Sequence, residues 1–173
     1  KKLIIGDFST EFGQGLTLWS GLSFGKTASP LSITKRPRGI NKYSSVNENE
    51  FFRGAALTLN FGNIDITQFV SYKPIDASVN TDTISSDIEE EYVSSFLNTG
   101  YHRTPSEISR KNSINEFVAG GNISWNTNFM KIGATGVYSE YSTPFLIDNN
   151  TYRVHEFYGK SNSNFGIDYI SSS

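Results

Sequence analysis

The 173-residue sequence predicts an all-β fold, an antiparallel up-and-down meander of about six strands. Three observations predict it. Apolar and polar residues alternate with period two in segments of about ten residues. The composition is polar yet sparsely charged, with 18% Asp, Glu, Lys and Arg, 14% aromatic residues and 15 glycines. That profile favours strands and turns over helices. Finally, the links between alternating segments run long, short, long, short, long.

The first segment spans Leu3 to Leu18. Its even positions Ile4, Gly6, Phe8, Thr10, Phe12, Gln14, Leu16 and Leu18 form the mainly apolar face, opposite Asp7, Ser9, Glu11 and Thr17. Gly13-Gln14-Gly15 lacks the Lys-Ser/Thr of a phosphate loop and reads as a bend or bulge. In 51–61, Ala55, Leu57, Leu59 and Phe61 share a face opposite Gly54, Ala56, Thr58 and Asn60. Gly62-Asn63 is a favoured hairpin turn. The return segment 64–73 sets Ile64, Ile66, Val70 and Tyr72 against Asp65, Thr67, Ser71 and Lys73. Phe117, Ala119, Gly121, Ile123 and Trp125 alternate with Glu116, Gly120, Asn122 and Ser124. After the turn 126–128, Met130, Ile132, Ala134 and Tyr138 alternate with Lys131, Thr135 and Ser139. The last segment, Asn164–Ile170, sets Phe165, Ile167 and Tyr169 against Gly166 and Asp168.

Successive links of a meander lie at opposite ends of the sheet, so the long links (19–50, 74–115, 140–157) fall at one end and the tight turns at the other. Outer-membrane barrels have this asymmetry. Phe61, Trp125 and Phe129 flank the tight turns, and Tyr72, Tyr138 and Tyr141 lie near the opposite strand ends, as two interfacial girdles would. The expectation is a partial outer-membrane β-barrel, apolar face towards lipid and polar face towards a wet lumen. Six unclosed strands leave two open edges, so residues 1–173 read as a single domain, an internal piece of a larger barrel.

Several stretches carry a family resemblance: Ile5-Gly6-Asp7-Phe8, Phe12-Gly13-Gln14-Gly15-Leu16, Phe24-Gly25-Lys26, Phe52-Arg53-Gly54-Ala55-Ala56 and, most specifically, the GYHRTPSEI stretch 100–108. Together with Val118–Ile123, Gly159-Lys160 and Gly166–Tyr169, they resemble a Bacteroidota outer-membrane barrel family. Its full-length members join N-terminal periplasmic helix-hairpin-helix (competence-type) repeats, associated with DNA binding, to a long barrel. The resemblance covers nearly the whole chain, lies in the barrel part and implies no established catalytic activity. This sequence contains no such repeat, so DNA binding transfers to none of its residues.

The charge balance, −2 net, excludes a general polyanion binder. The absence of cysteine excludes a disulfide scaffold, a thiolate metal site and a Cys nucleophile. His102 and His155 are too few and too separated to indicate zinc, and no nucleophile-elbow motif occurs. Asp7 and Glu11 stand about 13 Å apart along a strand, too far for a retaining carboxylate pair. No cofactor, metal or catalytic residue is expected, and the chain reads as non-enzymatic.

The candidate functional residues therefore line the lumen or its mouth. The lumen set is Asp7, Glu11, Asp65, Thr67, Lys73, Glu116, Asn122, Lys131 and Asp168, of mixed sign and without strong ion selectivity. Thr104-Pro105-Ser106-Glu107 predicts the start of a short loop helix, about 105–112, with Thr104 as N-cap and Glu107 closing a capping box. Arg110-Lys111 would end it where the dipole favours cations. His102, Arg103, Arg110 and Lys111 form either part of an ordered loop or a basic constriction at the mouth. Lys35-Arg36-Pro37-Arg38, with Lys26, Lys42 and Arg53, reads as a solvated basic loop with internal salt bridges; the sharper alternatives are contact with lipopolysaccharide phosphates or a pore lining. By parity Arg53 shares the apolar face with Ala55, beyond the hydrocarbon. Asp82, Asp87 and Glu89–Glu91 read as a solvated acidic loop without calcium-loop spacing.

The expected function is a segment of an outer-membrane barrel in the cell's outer membrane, acting in passive passage or as anchor for a periplasmic module. Its partners would be lipid, lipopolysaccharide and the rest of the same barrel, with no nucleic acid bound by this segment. The alternative is a soluble or surface-attached β-sandwich that binds glycans through Trp19 or Trp125 on a flat exposed platform.

Overall fold

A computed structural model describes residues 1–20, 35–44, 51–85, 88–96, 103–145 and 157–171; for 81–91 the backbone alone is considered. The chain is all-β with one short helix. The strands are β1 (Lys2–Glu11), β2 (Gly39–Lys42), β3 (Phe52–Phe61), β4 (Ile64–Ile75), β5 (Ala77–Ser85), β6 (Ile88–Phe96), β7 (Ile114–Asn126), β8 (Met130–Phe145) and β9 (Gly159–Ser171), with α1 at Pro105–Ser109. Their hydrogen-bonded order is β2-β1-β3-β4-β7-β8-β6-β5, with β9 also on β8.

Two features depart from the expected up-and-down meander. Among the described residues nine strands replace about six, because the long links carry β2 and the β5–β6 hairpin. The sheet is mixed, since β6 meets β8 in parallel at Val93 and Phe145. The acidic residues Glu89–Glu91 belong to β6 rather than to a loop, and Asp87 lies outside the described residues. Among the described residues no helix is long and apolar enough to cross a membrane, which says nothing of strands.

The tight turns lie where alternation puts them. Gly62, with φ +65°, closes the β3–β4 hairpin, whose register runs from Phe61↔Ile64 to Gly54↔Ser71. Thr127 closes β7–β8, its N–H and hydroxyl both donating to the Met130 carbonyl. The two turns are neighbours: the Asn126 N–H donates to the Asn63 carbonyl at 2.8 Å.

The chain packs as two compact units. The first comprises Lys1–Ser71, Val118–Tyr138 and Ser163–Ser173; the second comprises Tyr72–Phe117 and Ser139–Asn162. In the first, a strongly curled sheet carries an apolar outer face: Leu3, Ile5, Leu57, Phe61, Val70, Ile123, Trp125, Phe165, Ile167 and Tyr169 are all exposed. Gln68 is a polar interruption of that face. The concave side holds an aromatic layer. Phe69 stands 6.1 Å from Phe8, 6.3 Å from Phe12 and 5.5 Å from Phe52, with Ile40, Ala56 and Val118 buried around them. Each such side chain withdrawn from water stabilises the unit by roughly 1.5–3 kcal/mol.

β1 behaves unlike the other strands. It pairs with β3 from Lys2↔Thr58 to Phe8↔Phe52 and with β2 from Phe8↔Lys42 to Glu11↔Gly39, and Glu11 also bridges Trp19. Residues Phe8 to Gly13 are buried on both faces, as they must be if this stretch leaves the wall and runs through the concavity. The apolar even parity of the first segment therefore marks an inward face: Ile4, Phe8 and Phe12 point into the core, while Leu3, Ile5 and Asp7 point out.

In the second unit Ala77, Val93 and Ile114 form a small core with Ile75, Val79, Tyr141 and Phe145. α1 begins at Thr104 with the expected capping box: the Glu107 N–H donates to Thr104 Oγ1, and the Glu107 carboxylate accepts from the Thr104 N–H. It ends earlier than expected, at Ser109. Arg110 is the C-cap and Lys111 lies past it, so neither cation occupies the last turn. The Ala77 N–H donates to the Arg110 carbonyl, and Asp76 accepts from the Asn112 N–H at 2.8 Å; these bonds stop the helix and turn the chain into β7.

Candidate functional site

The inner face of the curled unit carries a cavity of about 240 Å³. Alternation supplies its walls: Thr58 from β3, Asp65 and Thr67 from β4, Asn122 and Ser124 from β7, Lys131 and Gly133 from β8, and Asp168 from β9. Lys2, at the start of β1, joins them. The inward stretch and the loop before β2 contribute Glu11, Phe12, Gly13 and Arg38.

Internal bonds fix most of these groups. Glu11 is 2% exposed and receives the Arg38 guanidinium at both oxygens, with Nε 2.9 Å from Oε2. Arg38 itself is 65% exposed, so the pair joins the inner floor to the outside. Asp65 Oδ1 accepts from the Asn60 amide at 2.8 Å, and Oδ2 accepts from the Asn126 amide at 3.1 Å. Thr58 and Thr67 share a hydroxyl bond of 2.9 Å. Asn122 donates to Thr135 Oγ1 and to the Ala134 carbonyl, which orients it beside the cavity. Lys2 Nζ donates to the Ile40 carbonyl and to Asn41 Oδ1.

The remaining loop residues are tied down as well. Gln14 bonds both the N–H and the carbonyl of Lys35, and Lys35 Nζ stands 4.6 Å above the Trp19 ring. The Thr10 N–H donates to Ser20 Oγ at 2.7 Å. The basic stretch 35–38 is thus a loop with Arg36 and Arg38 exposed, tied through Lys35 to Gln14 and through the Arg38 salt bridge to Glu11, and Lys26 lies outside the described residues.

Of the thirteen residues expected at a lumen or mouth, six meet here: Glu11, Asp65, Thr67, Asn122, Lys131 and Asp168. Asp7 does not. It lies on the outer face, bonded to Arg53 with Nε 2.8 Å from Oδ1, because the even residues of β1 fill the interior. Arg53 does share the outer face with Ala55, and Asp7 neutralises it there. Lys73 and Glu116 belong to the second unit, where Lys73 is buried and the Glu116 carboxylate accepts from the Tyr141 hydroxyl and faces Lys73. Arg103, Arg110 and Lys111 are exposed around α1 in the same unit, and His102 lies outside the described residues. Beside them, backbone hydrogen bonds from Arg103 and Thr104 hold the Glu107 carboxyl below its usual range.

Sequence reasoning placed neither Lys2 nor the two glycines at the cavity, and offered Arg38 there only as one alternative for the basic stretch, a pore lining. Lys2 carries the even parity of Ile4 and Phe8, which would have sufficed once that parity was known to face inward. Gly13, with φ +54°, and Gly133 leave room for Asp168: a Cβ at either would stand 2.2 or 2.7 Å from its Oδ1. Among the described residues no group of His, Asp and Glu could hold a metal ion. No family model, curated protein or solved structure matches the chain.

Proposed function

We propose that the chain is a non-enzymatic segment of a β-barrel embedded in an outer membrane, working as an anchor rather than as an open channel. The observation that carries the reading is the outer face of the curled unit, where Ile5 (78% exposed), Phe165 (74%) and Tyr169 (78%) stand among further apolar side chains. A face so largely apolar, interrupted by Gln68 and the Asp7–Arg53 pair, is rare on water-facing surfaces and suits contact with hydrocarbon. Trp125, Phe61 and Phe129 beside the tight turns suit an interfacial girdle. Along β9 only one edge is paired among the described residues, which suits continuation into the rest of a barrel. The stretches that resemble a Bacteroidota barrel family accord with this reading, and lipid and lipopolysaccharide are the partners it implies. The aromatic layer around Phe69 favours a closed interior over passive passage.

Quenching by brominated lipid tests the membrane part. In a Trp19→Phe variant, Trp125 is the sole tryptophan; lipid brominated in its acyl chains is expected to quench it strongly and aqueous acrylamide weakly. The reverse pattern refutes the reading and favours the glycan-binding alternative. Planar-bilayer recording tests the closed interior: no steady single-channel current is expected, and a reproducible one overturns it.

A further inference from the structure

Within the cavity of the curled unit, most charges are spent internally: Glu11 on Arg38, Asp65 on two asparagine amides, Lys2 on Ile40 and Asn41. Two charges of opposite sign are not. Among the described residues neither Lys131 nor Asp168 has a hydrogen-bond or ion-pair partner, and both line the cavity. Asp168 sits over Gly133, where a Cβ would stand 2.7 Å from its Oδ1. Lys131 and Gly133 share the inner face of β8 two residues apart, about 7 Å along the strand. The Lys131 and Asp168 side chains therefore enter a common space from points roughly one strand repeat apart along β8, and Ser124 lines the same space.

We infer that this cavity binds a small zwitterion, its anionic end on Lys131 and its cationic end on Asp168. A simple anion would satisfy Lys131 but bring like charge towards Asp168, and a simple cation would do the converse. A molecule carrying both charges satisfies both poles, which matters because a partly desolvated charge without a partner is costly. The spacing favours an ω-amino acid or the two ends of a very short peptide. The inference concerns the cavity alone and stands whatever medium surrounds the outer face.

The test compares γ-aminobutyrate with butyrate and butylammonium, which keep its four-carbon chain but carry one charge each. The three are titrated calorimetrically into the chain in detergent solution. γ-Aminobutyrate is expected to bind about tenfold or more tightly than either analogue, a difference of about 1.4 kcal/mol or more. Lys131→Gln and the nearly isosteric Asp168→Asn are each expected to abolish that margin. Equal affinities, no binding of γ-aminobutyrate, or a margin unchanged in both variants would overturn the inference. The three-ligand comparison on the unaltered chain decides even if a variant fails to fold, and a positive result holds whether or not Trp125 proves to lie in lipid.

Discussion

Arginine placed at rising heights along β7 would measure what surrounds the outer face. Trp125, Ile123 and Ala119 share that face. At ~3.3 Å per residue and a tilt of roughly 40°, Ile123 stands about 5 Å and Ala119 about 15 Å above Trp125 along the membrane normal. If Trp125 marks the edge of an apolar band ~25 Å tall, Ala119 is close to its middle. Trp125→Arg is then expected to cost ~0–1 kcal/mol, Ile123→Arg an intermediate amount and Ala119→Arg ~2–4 kcal/mol. Gly121 is unsuitable for the series, because a Cβ there would meet the Thr67 carbonyl at 2.8 Å. Urea unfolding in lipid vesicles, followed by tryptophan emission, gives the three differences. Were the same face in water, exposed substitutions would stay within about ±0.5 kcal/mol and show no trend with height. A flat series would refute the placement of this face in hydrocarbon.

Arg38→Ala strands the buried Glu11 carboxylate and is expected to lower stability by ~1–3 kcal/mol, towards the lower end because Arg38 is 65% exposed. Glu11→Gln should cost less, and the order of the two denaturation midpoints checks this. Gly13→Ala puts a Cβ 2.2 Å from Asp168 Oδ1 at φ +54°, so a loss of at least ~1 kcal/mol is expected. Adding Asp168→Ala should recover the contact part and leave the backbone part, as a double-mutant cycle would reveal. The N–H bonds of Arg103 and Thr104 depress the Glu107 pKa, so the carboxylate supports the start of α1 above its ordinary pKa. That support is lost as pH falls through the depressed value; amide exchange at residues 104–110 should quicken there, and Glu107→Gln should flatten the pH response.

Alternation made β3, β4, β7, β8 and β9 legible, because period two in side-chain direction is independent of what lies on either side. Which face is inside is a different matter. For Val70 or Ile123 the apolar face is the outer one, whereas for Phe8 and Phe12 it is the inner one. The sequence pattern is the same in both cases, and that identity sent Asp7 to the wrong side. The Asp7–Arg53 pair was readable only in combination, as two charges of opposite sign whose cost on an apolar face falls when they meet. The β5–β6 hairpin escaped notice because its register shifts at Ser78/Val79 and Thr83/Ser85 break the period. The capping box of α1 was legible since it depends on residues three apart and on nothing distant. The cavity was half legible: polar parity found Asp65, Thr67, Asn122, Lys131 and Asp168, and Glu11 joined them because the stretch from Phe8 to Gly13 is enclosed on both faces, but the glycines that admit Asp168 have no side chain to announce their role.

The stretch from Phe8 to Gly13 makes the fold depend on distant partners. Enclosed by its own sheet, it meets β9 where Asp168 stands over Gly13, and that meeting joins positions 13 and 168, nearly opposite ends of the chain. Loop-closure entropy is spent before such distant partners reward it, so assembly should be slow and governed by topology. Deleting the inserted stretch would remove a filler around which the sheet rolls, leaving a concavity lined by Phe52, Phe69 and Val118 with nothing to close upon.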